Sequence, residues 1–469
     1  MSSEIISLLN RAGQTKLAQY LESAPAEARA RIEAQVRDID LDELPGLIAD
    51  YVMKKPETAI PADLAPAPFL PFPPDTPERE AYYRKAAETG RDLIRQGKVA
   101  ALTVAGGQGT RLGFDGPKGT YPITPVLHKT LFQYFAEGIA RISEKYGVQL
   151  PWFIMTSELN DVPTRNFFRD NDFFGLKPGQ VTFFTQGTMP AVGYDGQLIL
   201  AAADSLALAP NGHGGTLLAL RKSGALNTMK AAGVEYISYF QVDNPLVSPA
   251  DPLFIGLHAL EKADISCRML PKTNPYEKLG NFCMSAGHCQ IIEYSDMPAE
   301  LAERKKPDGT LDFLAGSPAI HVISRAFVEK LTESGKLRLP WHRADKKVAF
   351  LGPDGSVVKP DSPNAVKLES FIFDALPLAD RVMIFEGDRK ELFAPTKNAT
   401  GVDSAESCRA MLSARDARRL KLAGVSVPDD ALVEISPRSV ADDEDALAFF
   451  RENPVVQPIR PGEARSFGK

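Results

Sequence analysis

A chain of 469 residues, 44% apolar and 24% charged, can bury a large core, and its length predicts two or three folding units. Its net charge of −6 gives no general attraction to nucleic acid or an acidic membrane, so any phosphate ligand must be held by local charge. No apolar run approaches the ~20 residues of a membrane span, and the opening Met1-Ser-Ser-Glu4 lacks a basic leader region. The four cysteines, Cys267, Cys283, Cys289 and Cys408, have no Cys-x-x-Cys spacing; reduced core thiols and a cytoplasmic location are expected rather than a zinc site.

Residues 1–95 read as a helical N-terminal region with a Pro-rich linker. Ile5, Leu8, Leu9, Leu17, Tyr20 and Leu21 recur on one helical face, and Pro61 to Pro74 is rich in proline, as linkers and extended segments are. Thr76 followed by Pro77 predicts a capped helix start. From 96 to 400, short strands (Val99–Val104, Trp152–Met155, Val181–Thr185, Tyr236–Val242, Ile265–Met269, Val382–Phe385) alternate with helical segments such as Thr130–Tyr146. That alternation predicts an α/β fold, a central, mostly parallel Rossmann-like sheet flanked by helices. Residues 401–469, with a helix over Ser404–Leu422 and a Pro-punctuated stretch from Val425 to Pro437, read as a small C-terminal domain.

The strand at Val99 runs into Thr103-Val-Ala-Gly-Gly-Gln-Gly-Thr-Arg-Leu-Gly113, followed by Pro117-Lys118. Glycines such as Gly106 and Gly107 let backbone amides approach a phosphate, and Arg111 and Lys118 add two fixed positive charges. A dinucleotide fingerprint would need a small residue where Leu112 stands, and a Walker loop would need Gly-Lys-Ser/Thr, whereas Lys118 lies between Pro117 and Gly119. A plain tight turn is the remaining alternative, which Arg111 and the Pro-Lys pair disfavour. Asp243 closes the apolar segment 236–242, where a carboxylate serves either as a turn residue or as an oxygen ligand for Mg2+ beside substrate phosphates.

The glycine loop with its Pro-Lys resembles the signature of the eukaryotic-type UDP-sugar pyrophosphorylases, most similarly the UDP-N-acetylhexosamine pyrophosphorylases. The resemblance continues in order through Gln186-Gly-Thr-Met-Pro-Ala191, Gly212-His-Gly-Gly215, Val242-Asp-Asn244, Lys272-Thr-Asn-Pro275, Glu293-Tyr-Ser295, Lys359-Pro-Asp361, Lys367-Leu-Glu369 and Phe393-Ala-Pro-Thr-Lys-Asn398, spanning roughly residues 95 to 400. It implies a nucleotidyltransferase fold and transfer of UMP from UTP to a sugar 1-phosphate with Mg2+, the substrates being two anions that need cations and positioning more than a protein nucleophile. It also implies catalytic roles for Arg111 and Lys118. Gly106, Gly107, Lys118, Gln186, Gly212, Asp243 and Lys367 would bind nucleotide, with Asp243 also holding the metal. His213, Gly280, Glu293, Tyr294, Ser317, Phe371, Phe373 and Lys397 would face the sugar phosphate. On the residues alone, Lys367 and Lys397 read equally as surface lysines, and the alternate spacing of Phe371 and Phe373 suits core positions of a strand.

Two departures fall in the sugar-facing set. The N-acetylhexosamine enzymes carry Gly-Asn-Gly-Gly, whereas His213 is what the UDP-glucose enzymes show; Ser317 in Gly316-Ser-Pro-Ala-Ile-His321 replaces the family's Asn. The overall resemblance implies N-acetylglucosamine 1-phosphate as the sugar, whereas His213 favours glucose 1-phosphate; a broad UDP-sugar pyrophosphorylase is a further alternative. A non-catalytic nucleotide-sugar binding protein is disfavoured by the joint presence of Arg111, Lys118 and Asp243, and a dinucleotide-dependent oxidoreductase by the glycine spacing.

Overall fold

The computed structural model describes residues 2–56, 60–337 and 339–468. The chain packs as two compact units that cut across the chain-order segments 1–95, 96–400 and 401–469. The smaller comprises Met1–Ile60, Gln186–Thr216 and Arg338–Ala375; the larger comprises Pro61–Thr185, Leu217–Leu337 and Leu376–Lys469.

In the smaller unit, three amphipathic helices, α1 (Ser2–Arg11), α2 (Thr15–Ser23) and α3 (Ala26–Arg37), bury Ile5, Leu9, Leu17, Leu21, Ile32 and Val36. This apolar face closes over Val192, Leu198, Leu206, Val366 and Leu368, so distant stretches of chain share one core. The sheet beneath pairs His342–Lys346 with Ala365–Glu369 and the latter with Val192–Gly193, all antiparallel.

The larger unit is built on seven strands: β1 (Val99–Val104), β2 (Trp152–Thr156), β3 (Val181–Thr185), β4 (Tyr236–Gln241), β5 (Ile265–Pro271), β6 (His321–Ser324) and β7 (Val382–Glu386). They lie in the order β7-β5-β6-β4-β1-β2-β3, with every pair parallel except those of β6. The run Val99–Leu102 and all of β2 are buried, as strands covered by helices on both faces must be. The expected mostly parallel α/β sheet is thus present. Beyond β5 it continues as an antiparallel extension through Gly280–Ser285, His288–Ile292 and Ala315–Ser317, which no sequence pattern had marked.

The proline-rich segment 61–74 is extended and tied down. Ala65–Pro66 pairs with the antiparallel extension, and the Leu70 amide donates to the Ile384 carbonyl at 2.9 Å. Helix α4 (Pro77–Arg95) is capped by Thr76, whose side chain accepts from Arg79 N–H, and α5 (Leu131–Tyr146) by Thr130 in the same way. Helix α5 buries Leu131, Phe135, Ile139 and Ile142 together, as their spacing required. Residues 401–469 pack into this unit: α7 (Ala405–Leu422), reached after α6 (Pro252–Leu260), is followed by the parallel pair Leu432–Ile435 and Ala464–Phe467. Buried Glu434 accepts the Val126 and Leu127 amides, both at 2.8 Å, and so holds the turn that follows the glycine loop. All four cysteines are buried and free, and no helix among the described residues is long and apolar enough to cross a membrane.

Helices α4 and α6 touch backbone to backbone. A Cβ on Gly256 would lie 1.7 Å from the Ala86 carbonyl oxygen, and one on Gly90 would lie 1.8 Å from that of Pro252. Because backbone cannot yield as a flexible side chain does, Gly256→Ala is expected to destabilise the protein by about 3 kcal/mol, at the upper end of ordinary overpacking. Denaturant unfolding measures this directly; an unchanged midpoint would show that the helices separate without cost.

Candidate active site

The glycine loop leaves β1 at its carboxyl end, the end at which parallel sheets bind ligands. Its carbonyls are already taken: Ser157 Oγ donates to Gly106 at 2.9 Å, Asn160 Nδ2 to Ala105 at 2.8 Å, and the Lys118 amide to Gly107 at 3.0 Å. The amides of Gly106, Gly107 and Gln108 donate to no acceptor among the described residues, an arrangement suited to an anion. Arg111 is exposed on the short 3-10 turn Thr110–Leu112 that follows.

Lys118 returns beneath this loop. Its ammonium lies 3.4 Å from Asp243 Oδ2, with both side chains only 11% exposed, so the lysine and the carboxylate predicted separately from sequence meet as a buried ion pair. Asp243 follows β4, and its carbonyl accepts the Thr396 amide at 2.8 Å. Neighbouring Asn244 bonds both ways with the same segment, giving Nδ2 to Leu392 O (2.8 Å) and taking Ala394 N–H at Oδ1 (2.9 Å). This fixes the start of the turn that carries Lys397, whose ammonium lies over the Phe393 ring at 5.7 Å.

Asp403 was missed in the sequence. Its carbonyl accepts the Lys397 amide at 2.7 Å, and its carboxyl is raised above the ordinary range, first by burial and then by repulsion from Asp243 and Glu277, against the pull of Lys397. Only its position in the fold places it near Asp243. Among the described residues no three His, Cys, Asp or Glu side chains form a metal cluster. A single buried carboxylate beside a phosphate cradle, with a second in its electrostatic field, still suits Mg2+, which takes one or two carboxylates and completes its shell with phosphate and water oxygens.

Gly280, Glu293 and Ser317 come together on the antiparallel extension. Gly280 is paired with Ser317, and a Cβ on Gly280 would meet Ile291 at 2.5 Å and Glu293 Oε1 at 3.1 Å. A side chain at position 280 would therefore crowd the Glu293 carboxylate. Tyr294 is 41% exposed beside it. Lys272 bonds to Asn281, which in turn donates to the Ile292 carbonyl at 3.1 Å.

The remaining candidates, Gln186, Gly212, His213, Lys367, Phe371 and Phe373, belong to the smaller unit. Gln186 is buried and donates to the Gly212 carbonyl at 2.7 Å. Gly212 has φ +85°, and a Cβ there would lie 2.2 Å from the Ser370 carbonyl oxygen, so glycine is required twice over. His213 packs on Phe371 with ring centroids 5.2 Å apart, and its Nδ1 accepts the Ile372 amide at 3.1 Å. Burial, with repulsion from His342 added, lowers the imidazole to about 4; it stays neutral near pH 7, with its remaining proton on Nε2. Lys367 is lowered, chiefly by burial and also by Lys346, with Glu369 opposing, so it is not the plain surface lysine its sequence allowed.

Phe371 and Phe373 are not alternate residues of a strand. The strand ends at Glu369, and a 3-10 helix starts at Ile372. Their rings lie 5.1 Å apart and share contacts with His342, which no sequence signal had singled out beyond its place in the apolar stretch Leu339-Pro-Trp-His342.

A sequence model of the family described as UTP--glucose-1-phosphate uridylyltransferase matches residues 75–422. The mouse UDP-N-acetylhexosamine pyrophosphorylase-like protein 1 is 37% identical over 97% of this chain and 92% of its own length. The Saccharomyces cerevisiae UDP-N-acetylglucosamine pyrophosphorylase is 34% identical over 74% and 75%. The crystal structure of the uridine diphosphate N-acetylglucosamine pyrophosphorylase from Trypanosoma brucei, in complex with an inhibitor, superposes with a TM-score of 0.81 at 25% identity, covering 100% of this chain and 98% of that one. A phosphate-suited loop, a buried Lys-Asp pair at the strand ends and this ordered likeness along most of the chain lead to one conclusion: the chain belongs to the UDP-sugar pyrophosphorylases, the family of UTP--glucose-1-phosphate uridylyltransferase.

Proposed function

We propose that this enzyme transfers the uridylyl group of UTP to N-acetylglucosamine 1-phosphate, releasing pyrophosphate, with Mg2+ held at Asp243 and in the cytoplasm. The buried Lys118–Asp243 pair beneath the glycine loop carries the proposal. An oxygen of the sugar phosphate attacks the α-phosphorus of UTP, and the bond from that phosphorus to the oxygen bridging to the β-phosphate breaks, so pyrophosphate leaves with its electron pair. The amides of Gly106 and Gly107, with Arg111 and Lys118, would bind the triphosphate and take up charge that develops in the transition state. Mg2+ would neutralise phosphate oxygens that one lysine and one arginine cannot fully offset. Lys397 would orient the sugar phosphate, while Gln186 and the Gly212 backbone would read the uracil edge and Lys367 would contact the nucleotide. Glu293, close to Gly280, would accept hydrogen bonds from sugar hydroxyls. Four buried, unpaired cysteines support a reducing compartment.

The second reading, glucose 1-phosphate, rests on His213. Its ring, held by Ile372 N–H and stacked on Phe371, fills space that a shorter Asn would leave open. Both sugars are therefore expected to react, the acetylated one remaining the main substrate.

Three outcomes test these assignments by pyrophosphate release with UTP, Mg2+ and a panel of sugar 1-phosphates. Lys118→Ala is expected to lower turnover by ~100-fold or more while the protein stays folded, the scale of losing one charge-stabilising group; wild-type turnover would remove Lys118 from the reaction. Asp243→Asn is expected to lower turnover and to shift the Mg2+ titration to higher concentration together, and an unshifted titration would reduce Asp243 to a turn residue. His213→Asn keeps an acceptor for Ile372 N–H and is expected to move the kcat/KM ratio toward N-acetylglucosamine 1-phosphate by roughly tenfold, the worth of one hydrogen bond to a buried group. No change in that ratio would show that His213 does not set sugar choice.

A further inference from the structure

His342 opens the strand His342–Lys346 and lies opposite Glu369 in its antiparallel partner. Its Nε2 is 3.1 Å from Asp374 Oδ1 and 3.0 Å from Oδ2, facing both carboxylate oxygens. Asp374 is 10% exposed at its side chain, and its Oδ2 also accepts the Phe371 amide at 2.9 Å. A carboxylate so far from water needs its donors, and each one restricts how it can rotate. The His342 ring in turn packs on Phe371 with centroids 4.4 Å apart and meets Phe373 edge-on at 6.3 Å.

Two consecutive backbone amides are therefore pinned from different directions, Phe371 by Asp374 and Ile372 by His213. His342 is the only residue of the group that touches the wall both through Asp374 and through its own ring. Without it, the carboxylate loses a donor and Phe371 loses a ring neighbour, so Asp374 and the Phe371 ring are held less firmly while the bonds to the Phe371 and Ile372 amides remain.

We infer that His342 is a positioning residue: acting through Asp374, it holds the Phe371–Phe373 aromatic wall in the orientation that meets the sugar of the second substrate. This rests on the proposed function, with Phe371 and Phe373 at the sugar as the family resemblance implies. A residue that only stabilised the unit would affect both substrates alike, whereas one that sets this wall affects the sugar phosphate alone.

The test is steady-state kinetics of the full-length enzyme with UTP and N-acetylglucosamine 1-phosphate, each varied at saturation of the other. His342→Ala is expected to raise KM for the sugar phosphate roughly tenfold, the effect of losing one buried hydrogen bond, with KM for UTP and kcat held within about twofold. His342→Gln, whose Nε2 can still donate to Asp374, is expected to recover the sugar KM to within about threefold of wild type, and remains informative if the alanine variant fails to fold. An unchanged sugar KM in His342→Ala, or parallel rises in both KM values, would overturn the inference; a glutamine variant as impaired as alanine would overturn the route through Asp374. Phe371→Leu separates the two layers of argument. An unchanged sugar KM in that variant overturns the placement of the wall itself, whereas a raised one beside an unaffected His342→Ala overturns only the positioning role.

Discussion

Bringing two phosphate-bearing anions together on a protein with a net charge of −6 is opposed by Coulomb repulsion at every distance that matters. The positive charge has to be local and shielded from solvent, and much of the larger unit is arranged around that demand. Lys118 supplies a cation that is nearly buried, and Asp243 makes its burial tolerable, because a lone ammonium at that depth would lose its hydration without return. The pair is a compromise. Asp243 stabilises the buried ammonium yet opposes an anionic ligand, a conflict that a divalent cation sharing the carboxylate would relieve.

The backbone answers the same demand in another way. Ser157, Asn160 and the Lys118 amide consume the carbonyls of Ala105, Gly106 and Gly107, leaving the amide side of the loop for a ligand. Peptide dipoles held like this carry partial positive charge without the desolvation cost of another ammonium. The C-terminal residues extend the support, since Glu434 ties down Val126 and Leu127, and Arg409 donates to the Pro122 carbonyl at 2.8 Å.

The sheet strands and α5 were legible in the sequence because burial on both faces, or along one stripe, forces a pattern that local reading detects: Val99–Val104 and the Leu131/Phe135/Ile139/Ile142 stripe are such cases. The strands Leu432–Ile435 and His321–Ser324 were not, being four residues each, too short for a period to show. Among candidate site residues, those carried by an ordered series of motifs could be named in advance. Phe371 and Phe373 were named, but spacing by two suggested a strand, whereas Phe371 stands in the link after Glu369 and Phe373 in the 3-10 helix that starts at Ile372, their rings meeting across that change of structure. Asp403, Asp374 and His342 could not be read at all. His342 meets Asp374 across 32 residues, and Asp403 feels Asp243 only through the folded path of the chain.

The smaller unit is assembled from three stretches, the last ending at Ala375. Its helices α1–α3 are made early, yet two of the residues that cover their apolar face, Val366 and Leu368, are made only after most of the larger unit. At a synthesis rate of ~5–20 residues per second, that face waits on the order of tens of seconds on the ribosome before these two partners exist. During that interval Ile5, Leu9, Leu17 and Leu21 are sheltered only by the early members of the cluster, such as Ile32 and Val36, and then by Val192, Leu198 and Leu206. The order of the stretches thus makes the newborn chain, rather than the finished enzyme, the state most exposed to aggregation and most in need of a chaperone.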